Sequence, residues 1–347
     1  MLTRRSIDTP AGMMHFFTLV NSAGASVTLS NAGAALLSVV VPDRDGHLDD
    51  VVLGFDNPLD YIGDGHCAGK IPGRYANRIA RGRFTLDGRE YTLAVNNGPN
   101  SLHGGPTGFH NRMWDVAAVG DDFVEFAYTS ANGEEGFPGT LTVKARYRWT
   151  DDNALSLTME AVTDAPTVLN LTNHAYFNLS GDGTTTIHDH VLRLYASHYL
   201  PTDDTLIPQP GAPASVVGTP MDFTAPKALG RDLDADFPAL RYGKGYDNCY
   251  TIDGADGSLR LAAELHLPSN GRRMRVLTTQ PAVQVYTGNW LSDTPTGKGG
   301  VHYADYAGVA IECQNYPDAP NRPDYPSARL NPGDTFHREI RFEFGVI

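Results

Sequence analysis

Most segments of the chain that show a readable pattern alternate apolar and polar residues at every second position, which is typical of β-strands. Residues 141–149 and 155–161 form two such segments around an Asp-Asp-Asn turn. Residues 84–93 form another pair around Asp87-Gly88, a dipeptide that accepts the positive φ of a tight hairpin. Helical spacing is rare, and residues 227–240 are the one candidate for a short helix. The pattern therefore predicts an all-β fold.

The domain organisation is inferred from the continuity of the sequence. The sequence contains no short internal repeat, no shift in composition and no segment that resembles a flexible linker. We therefore predict a single domain over residues 1–347, built from two large antiparallel sheets stacked on each other. Long loops rich in Gly, Pro, Asn and Asp connect the strands, and such loops commonly carry function. These loops cover residues 96–112, 180–190, 201–226 and 315–334.

Charge and cysteine content narrow the function. The chain has 27 Lys and Arg against 40 Asp and Glu and no basic run, so nucleic acid is not expected as a partner. No signal peptide or apolar stretch of about 18 residues appears, which predicts a cytoplasmic protein that does not enter a membrane. Cys67, Cys249 and Cys313 lack the spacing of a metal site or a disulfide framework. His188-Asp189-His190 is interpreted as a solvated turn, and no metal is assigned.

Three segments place polar side chains opposite an apolar face. Residues 168–179 put His174 and Tyr176 opposite the leucines, residues 308–317 isolate Glu312, and residues 281–291 set Gln284 opposite the valines. Such groups suit a carbohydrate, because its hydroxyls need donors and acceptors and its C–H faces stack on rings such as Trp290. The same alternation also describes the solvent face of a half-buried sheet. Alternation alone names no substrate.

Four further residues have two interpretations each. Asn77 and Arg78 could bind a sugar, although Arg78 could equally be one of several surface arginines. His103 precedes Gly104-Gly105, which permits close approach of a ligand but also marks ordinary turns. Asp247 follows two glycines, and a turn-capping role is the commoner one for such a residue. These residues alone favour the plain interpretation for Arg78 and Asp247.

Several ordered motifs together resemble the galactose mutarotase (aldose 1-epimerase) family. They extend from about residue 50 to the C-terminus, whereas the first fifty residues match only loosely. This resemblance implies a β-supersandwich fold with the sugar in an open cleft, and it reverses the preference stated above for Arg78 and Asp247. The motifs are GRYANRIARGRF, NNGPNSLHGG, NLTNHAYFNLSG, KGYDNCY, TTQPAVQVYTGNWL and ECQNYPDAPNRPDYPSARLNPGD.

The resemblance also implies an activity: interconversion of the α and β anomers of a free aldose such as galactose or glucose, without a cofactor. His174 takes the place of the family's general acid and Glu312 that of its general base. From reference pKa values of about 4.3 and 6.5, we expect Glu312 to be ionised and His174 to keep its proton near neutral pH, helped by nearby carboxylates. The family's sugar-binding places fall on Asn77, Arg78, His103, Tyr176, Asp247 and Gln284.

Three alternatives stay open on the sequence. A non-catalytic sugar-binding protein would not need both His174 and Glu312. An epimerase of phosphorylated sugars would need a basic cluster, for which Arg74, Arg78 and Arg81 are the candidates. A polysaccharide-cleaving enzyme would use two carboxylates, Glu312 with Asp247. We expect a monosaccharide as the only partner, and a monomer or a weak homodimer.

Overall fold

The structure is a computed structural model that describes residues 1–181 and 183–347, and strands dominate it. The strands of the first half are β1 (Leu2–Thr9), β2 (Gly12–Val20), β3 (Ser26–Ser30), β4 (Ala35–Pro42), β5 (Leu48–Asp50), β6 (Arg78–Ile79), β7 (Arg83–Leu86), β8 (Arg89–Thr92), β9 (Ser101–Leu102), β10 (Asp115–Val119), β11 (Phe123–Ser130), β12 (Leu141–Trp149), β13 (Ala154–Thr163) and β14 (Thr167–Val168).

The second half continues the same architecture. Its strands are β15 (Tyr176–Phe177), β16 (Val191–Leu194), β17 (His198–Tyr199), β18 (Ala214–Ser215), β19 (Lys227–Ala228), β20 (Asp247–Thr251), β21 (Arg260–His266), β22 (Arg272–Thr278), β23 (Ala282–Tyr286), β24 (Val309–Gln314), β25 (Arg329–Leu330) and β26 (Phe336–Val346). The described residues form one α-helix, α1 (Pro238–Gly243). Among them, no helix has the length and apolar character needed to cross a membrane.

Two large antiparallel sheets organise the molecule, as the alternating pattern predicts. The larger has nine strands in the order β10-β11-β12-β13-β26-β22-β21-β16-β19, and the other has six in the order β15-β24-β23-β20-β17-β18. A five-stranded sheet, β1 to β5 in chain order, precedes them, and three two-stranded ladders complete the fold. All-β architecture is therefore confirmed. That residues 1–347 form one domain stays a prediction.

The hydrophobic core joins these three sheets. Phe17 of β2, Tyr147 of β12, Leu157 of β13 and Ile311 of β24 belong to one cluster of buried side chains. Burial of apolar area at about 25 cal/mol per Å² is the main force that holds the layers together. The strand alternation expected for residues 141–149 is present, with every odd residue of β12 buried and every even one exposed.

Local predictions are confirmed at the hairpins and only partly match the structure at the helix, because residues 227–240 contain a one-turn 3-10 helix at Leu229–Arg231 and the start of α1. The Asp87-Gly88 turn joins β7 to β8, with Leu86 opposite Arg89. Residues 227–240 were expected to hold a short helix, but they begin with β19, and α1 starts only at Pro238. Proline is favoured at the first helical position because its missing N–H costs nothing there, so the helix begins near the end of the predicted segment and continues to Gly243.

Candidate active site

A cleft of about 510 Å³ opens over the polar face of the six-stranded sheet. This volume is in the usual range of small-molecule sites. Seven of the eight side chains proposed from the sequence line the cleft, and the eighth, Gln284, lies just behind it and contacts Asp247. The seven are Asn77, Arg78, His103, His174, Tyr176, Asp247 and Glu312.

Strand register brings His174 and Glu312 together. Tyr176 of β15 pairs antiparallel with Ala310 of β24, so the same register, continued two residues back from Tyr176 and two forward from Ala310, sets His174 across from Glu312. The backbone of His174 is held from the other side, because it accepts from Gly69 N–H and donates to Lys70 C=O. Its Nε2 is 3.6 Å from Glu312 Oε1. The sequence therefore places an imidazole and a carboxyl group side by side on the cleft floor.

Both members of this pair are almost completely withdrawn from water, with 5% of His174 and 2% of Glu312 exposed. Burial disfavours the charged form of each group. It therefore lowers the pKa of His174 to about 4 and raises the pKa of Glu312 well above its usual range; Asp247 adds to the rise and Arg78 opposes it. The expectation that His174 keeps its proton near neutral pH is wrong for the free site, where desolvation outweighs the neighbouring carboxylates.

A second cluster of polar side chains centres on the contact between Arg78 and Asp247. Gln284 donates through Nε2 to Asp247 Oδ1 at 2.6 Å, and an Arg78 guanidinium nitrogen lies 3.7 Å from Asp247 Oδ2. Arg78 Nε also donates to Asn97 Oδ1 at 3.0 Å. Gln284 is the cross-strand partner of Glu312, so this group borders the pair directly. Arg78 and Asp247 hold each other in place beside the catalytic candidates.

Aromatic and imidazole rings form the remaining wall around His174. Tyr176 packs with its ring centroid 4.9 Å from that of His174, and its hydroxyl donates to His66 C=O at 3.0 Å. Because this hydroxyl already has an acceptor, Tyr176 supports His174 and the wall of the cleft. His103 approaches from the other side, with ring centroids 5.3 Å apart and planes at 82°.

The structure also brings into the cleft residues that the sequence analysis did not select. His66 and Asn97 come from loops, and Tyr286 comes from the end of β23. Trp290, which the sequence did suggest as a stacking ring, lies at the mouth with 51% of its surface exposed, and the Lys244 ammonium sits 4.0 Å from its ring centroid. Tyr286 shares the polar face that singled out Gln284, so alternation could have indicated it. The loop residues carry no comparable signal.

The described residues also include His, Cys, Asp and Glu ligand atoms that lie close enough together to hold an ion. The one group of this kind among them is Asp43, Asp45 and His47, in the turn between β4 and β5. Asp43 Oδ1 there accepts from the backbone N–H groups of Asp45 and His47, which is the ordinary chemistry of a turn. None of the three lines the cleft.

The structure thus sets a buried imidazole and carboxyl group among polar and aromatic side chains in a cleft on an all-β scaffold. Residues 15–343 match the model of the aldose 1-epimerase family. The chain is 42% identical to galactose mutarotase from Bos taurus, with 97% of this chain and 95% of that protein aligned. It is 39% identical to aldose 1-epimerase from Escherichia coli K12, with 99% of each aligned.

Solved structures agree with these relatives. An aldose epimerase homologue from C. elegans superimposes with a TM-score of 0.88 at 34% identity, covering 96% of this chain and 99% of its own. A galactose 1-epimerase from Lactobacillus acidophilus gives 0.85 at 29% identity, covering 100% and 99%. The chain therefore belongs to the aldose 1-epimerase family. It is an isomerase that acts on a sugar.

Proposed function

We propose that His174 and Glu312 interconvert the α and β anomers of a free aldose by opening and closing its ring. The observation that carries this proposal is the buried pair, with Nε2 and Oε1 3.6 Å apart on the floor of the cleft. An aldose presents two oxygens at its anomeric centre, the ring oxygen and the anomeric hydroxyl. Two neighbouring groups that can each give and take a proton match those oxygens.

The chemistry needs one proton on the pair. In the free site this proton belongs on Glu312, because the dry surroundings favour a neutral carboxyl beside a neutral imidazole. Transfer to His174 in the complex makes Glu312 a base and His174 an acid. Glu312 then takes the proton of the anomeric hydroxyl while His174 protonates the ring oxygen. The bond between that oxygen and the anomeric carbon breaks, with its electron pair left on oxygen, and an aldehyde forms.

Closure reverses these steps on the other face. Rotation about the bond between the first two carbons turns the aldehyde over, and the oxygen of the former ring attacks it. His174 takes back the hydroxyl proton and Glu312 returns its own to the new anomeric oxygen, so the enzyme is regenerated. The proposed sugar-binding groups, above all Arg78, His103 and Asp247, hold the hydroxyls so that the anomeric centre stays over the pair.

The charges around the cleft favour an unphosphorylated sugar. Arg78 is the one Lys or Arg among its described lining residues, and its guanidinium already contacts Asn97 and Asp247. Asp204 at the rim adds negative charge. Arg74, which the sequence offered for a basic cluster, is buried and donates to the carbonyls of Pro138 and Gly139. A sugar phosphate would therefore lack a free cation.

Polarimetry on freshly dissolved α-anomers of galactose, glucose, xylose and arabinose tests the proposal. We expect Glu312→Gln and His174→Asn each to lower kcat about 10²- to 10⁴-fold, while Glu312→Gln retains sugar binding. The matched control is Glu343→Gln, whose carboxylate pairs with Arg275 on the nine-stranded sheet. A rate for either active-site variant close to that of Glu343→Gln would end the assignment.

The pH dependence of kcat/KM independently tests how many protons the pair of His174 and Glu312 carries. The active pair carries one proton, so kcat/KM should fall below pH about 4, where His174 gains a second. It should fall again above the raised pKa of Glu312, where the pair loses its last proton. The acidic limb should disappear in His174→Asn; its survival would assign that limb to another group.

We also propose that the chain works in the cytoplasm as a single domain, as a monomer or a weak homodimer. All three cysteines are buried free thiols, which suits a reducing compartment. Light scattering after size exclusion, over a hundredfold range of protein concentration, should give the monomer mass at the lowest concentration. A dimer at all concentrations would contradict this.

A further inference from the structure

The short ladder between β6 and β9 ends in an unusual way at the cleft. Arg78 pairs with Leu102, and the next pair would be Asn77 with His103. His103 N–H does donate to Asn77 C=O at 3.1 Å, but Asn77 N–H donates to the imidazole Nδ1 of His103, also at 3.1 Å. Both residues have left-handed backbones, with φ of 65° and 53°. A side chain thus takes the place of a backbone acceptor.

We propose that Asn77 acts through its backbone, by holding His103 as a neutral imidazole whose one proton stays on Nε2 and is donated to a sugar oxygen. The part of this proposal that concerns the sugar rests on the proposed function, whereas the protonation state of His103 does not. Asn77 is then a positioning residue, and His103 is a fixed hydrogen-bond donor rather than a carrier of protons.

The tautomer follows from the chemistry of imidazole. A neutral ring has one N–H donor and one nitrogen acceptor, and the hydrogen bond at one nitrogen decides which is which. Since Nδ1 of His103 accepts from a backbone N–H, the proton must be on Nε2. Within the described residues Nε2 has no protein hydrogen-bond partner, and His103 lines the cleft. Its N–H is therefore available to a ligand.

The charges around His103 also oppose a second proton. The groups that face it are His174, His110 with a ring centroid at 6.5 Å, and Arg78; Arg78 is cationic, His174 becomes so when it takes the proton of the pair, and neither histidine can offset a positive charge on His103. A proton on Nδ1 would also point at Asn77 N–H, donor against donor. Burial and these neighbours hold the pKa of His103 well below its usual range. The imidazole therefore stays neutral while the His174 and Glu312 pair exchanges its proton.

Asn77 has the side chain that this geometry requires. Its Oδ1 accepts from Arg78 N–H at 2.8 Å, a local bond that supports the left-handed turn, and asparagine tolerates positive φ better than most residues. The side-chain oxygen is therefore already used within the protein. The contact with His103 is made instead by the backbone N–H of Asn77.

Nuclear magnetic resonance of the full chain labelled with ¹⁵N-histidine tests the tautomer directly. Long-range ¹H–¹⁵N spectra between pH 5.5 and 8.5, with His103 assigned by its loss in His103→Gln, should show a protonated Nε2 and an unprotonated Nδ1 throughout. An Nδ1–H tautomer, or a titration of either nitrogen in this range, would overturn the proposal. This readout holds whether or not His174 and Glu312 carry the reaction.

Two variants at position 77 test the backbone role. Asn77→Gly and Asn77→Ala both remove the side chain, but only glycine adopts positive φ without strain. We expect kcat of Asn77→Gly to exceed that of Asn77→Ala about tenfold, with the Nε2–H signal of His103 kept in the glycine variant and mixed in the alanine variant. Equal losses in both, seen in KM with the tautomer intact, would instead make Asn77 a direct sugar ligand and overturn the proposal. If the alanine variant does not fold, the wild-type spectra still decide.

Discussion

The outer face of the nine-stranded sheet and the polar face of the six-stranded sheet have the same alternating sequence pattern but opposite environments. On β12, Lys144 and Arg146 alternate with core residues and keep about half of their side-chain surface in water. On β24, every residue is buried, including Glu312. Alternation thus identifies the side chains that leave the core, and the loops above them decide whether those side chains meet water or a dry cleft.

The difference in stability loss between a covered and an exposed side chain should be largest for lysine. Lys70, whose backbone C=O accepts from His174 N–H, is fully buried, donates to Tyr61 C=O and is 3.6 Å from Asp64. Asp64 in turn accepts from the N–H groups of Ala68 and of His66, and His66 lines the cleft. Lys70→Ala leaves a buried carboxylate without its cation, and we expect a loss of about 3–5 kcal/mol of unfolding free energy in urea.

The control is Lys144→Ala, which removes an exposed partner of Glu125 3.8 Å away. A loss of about 0–1 kcal/mol is expected there. Losses that agree within 1 kcal/mol for the two variants would show that coverage by loops does not separate the two faces.

Asp247 should give the next largest effect, this time on activity. Asp247→Asn keeps the shape of the side chain but removes the charge that faces Arg78 and the strong acceptor of Gln284. We expect kcat/KM to fall about 100-fold, since charge-assisted hydrogen bonds contribute about 1.5–3 kcal/mol. Asp122→Asn removes a comparable pair with Arg148 on the nine-stranded sheet. An equal effect of the two substitutions on kcat/KM would contradict the assigned role of Asp247.

Buried histidines predict a dependence of stability on pH. Burial lowers the pKa values of His110 and His174 to about 4 and that of His190 to about 3, against about 6.5 when unfolded. The unfolded chain therefore binds more protons below pH 6.5. Each group lowers the free energy of unfolding by about 1.4 kcal/mol per pH unit as pH falls from 6.5 towards its folded pKa.

His190→Gln isolates one of these groups. His190 is buried, in contrast to the solvated turn expected for residues 188–190, and it accepts from Leu179 N–H through Nε2. The glutamine side-chain oxygen can accept in its place without titrating. Urea unfolding at pH 5.5 and 6.5 should show a smaller loss of stability in the variant, by about 1 kcal/mol. The same loss in both proteins would mean that His190 is not neutral in the folded state.

Substitution of a surface arginine should give the smallest loss of stability. Arg146 donates through Nε to Glu125 at 2.9 Å, but 49% of its side chain is exposed. Arg146→Gln should cost about 0–1 kcal/mol at low salt and nothing measurable at 1 M salt, where the Debye length is about 3 Å. A loss that persists at high salt would show that this face contributes more than solvated ion pairs.

The sequence predicted the strands well because their signal is local. Residues 84–93 and 141–161 carry complete alternation and turn chemistry, and both pairs form as expected. His174 and Glu312 could be placed on one face by the same rule. That His174 and Glu312 lie opposite each other, although they are 138 positions apart, depends on the register between β15 and β24. The identification of the pair as acid and base came from the resemblance.

Other features of the site could not be predicted because they depend on loops and backbone groups that are distant in sequence and cover the site. The protonation state of the pair was predicted in the wrong direction, since reference pKa values do not include the burial that loops impose. The donor role of His103 depends on a backbone N–H 26 positions away. At residues 227–240, the pairing of β19 with β16 takes the first two residues, and the helical turns that follow are split between Leu229–Arg231 and α1.

The division of the cleft into a strand-borne floor and loop-borne walls has a consequence for protein engineering. The rim at Asp204 and Leu206 belongs to a loop that Arg322 and Asn100 attach to the rest of the protein through backbone carbonyls, which makes those attachments independent of the side chains at the rim. A library randomised at rim positions could therefore be selected on new sugars while the proton-transfer machinery is inherited unchanged. Directed evolution of this scaffold should thus alter substrate preference more readily than the type of reaction.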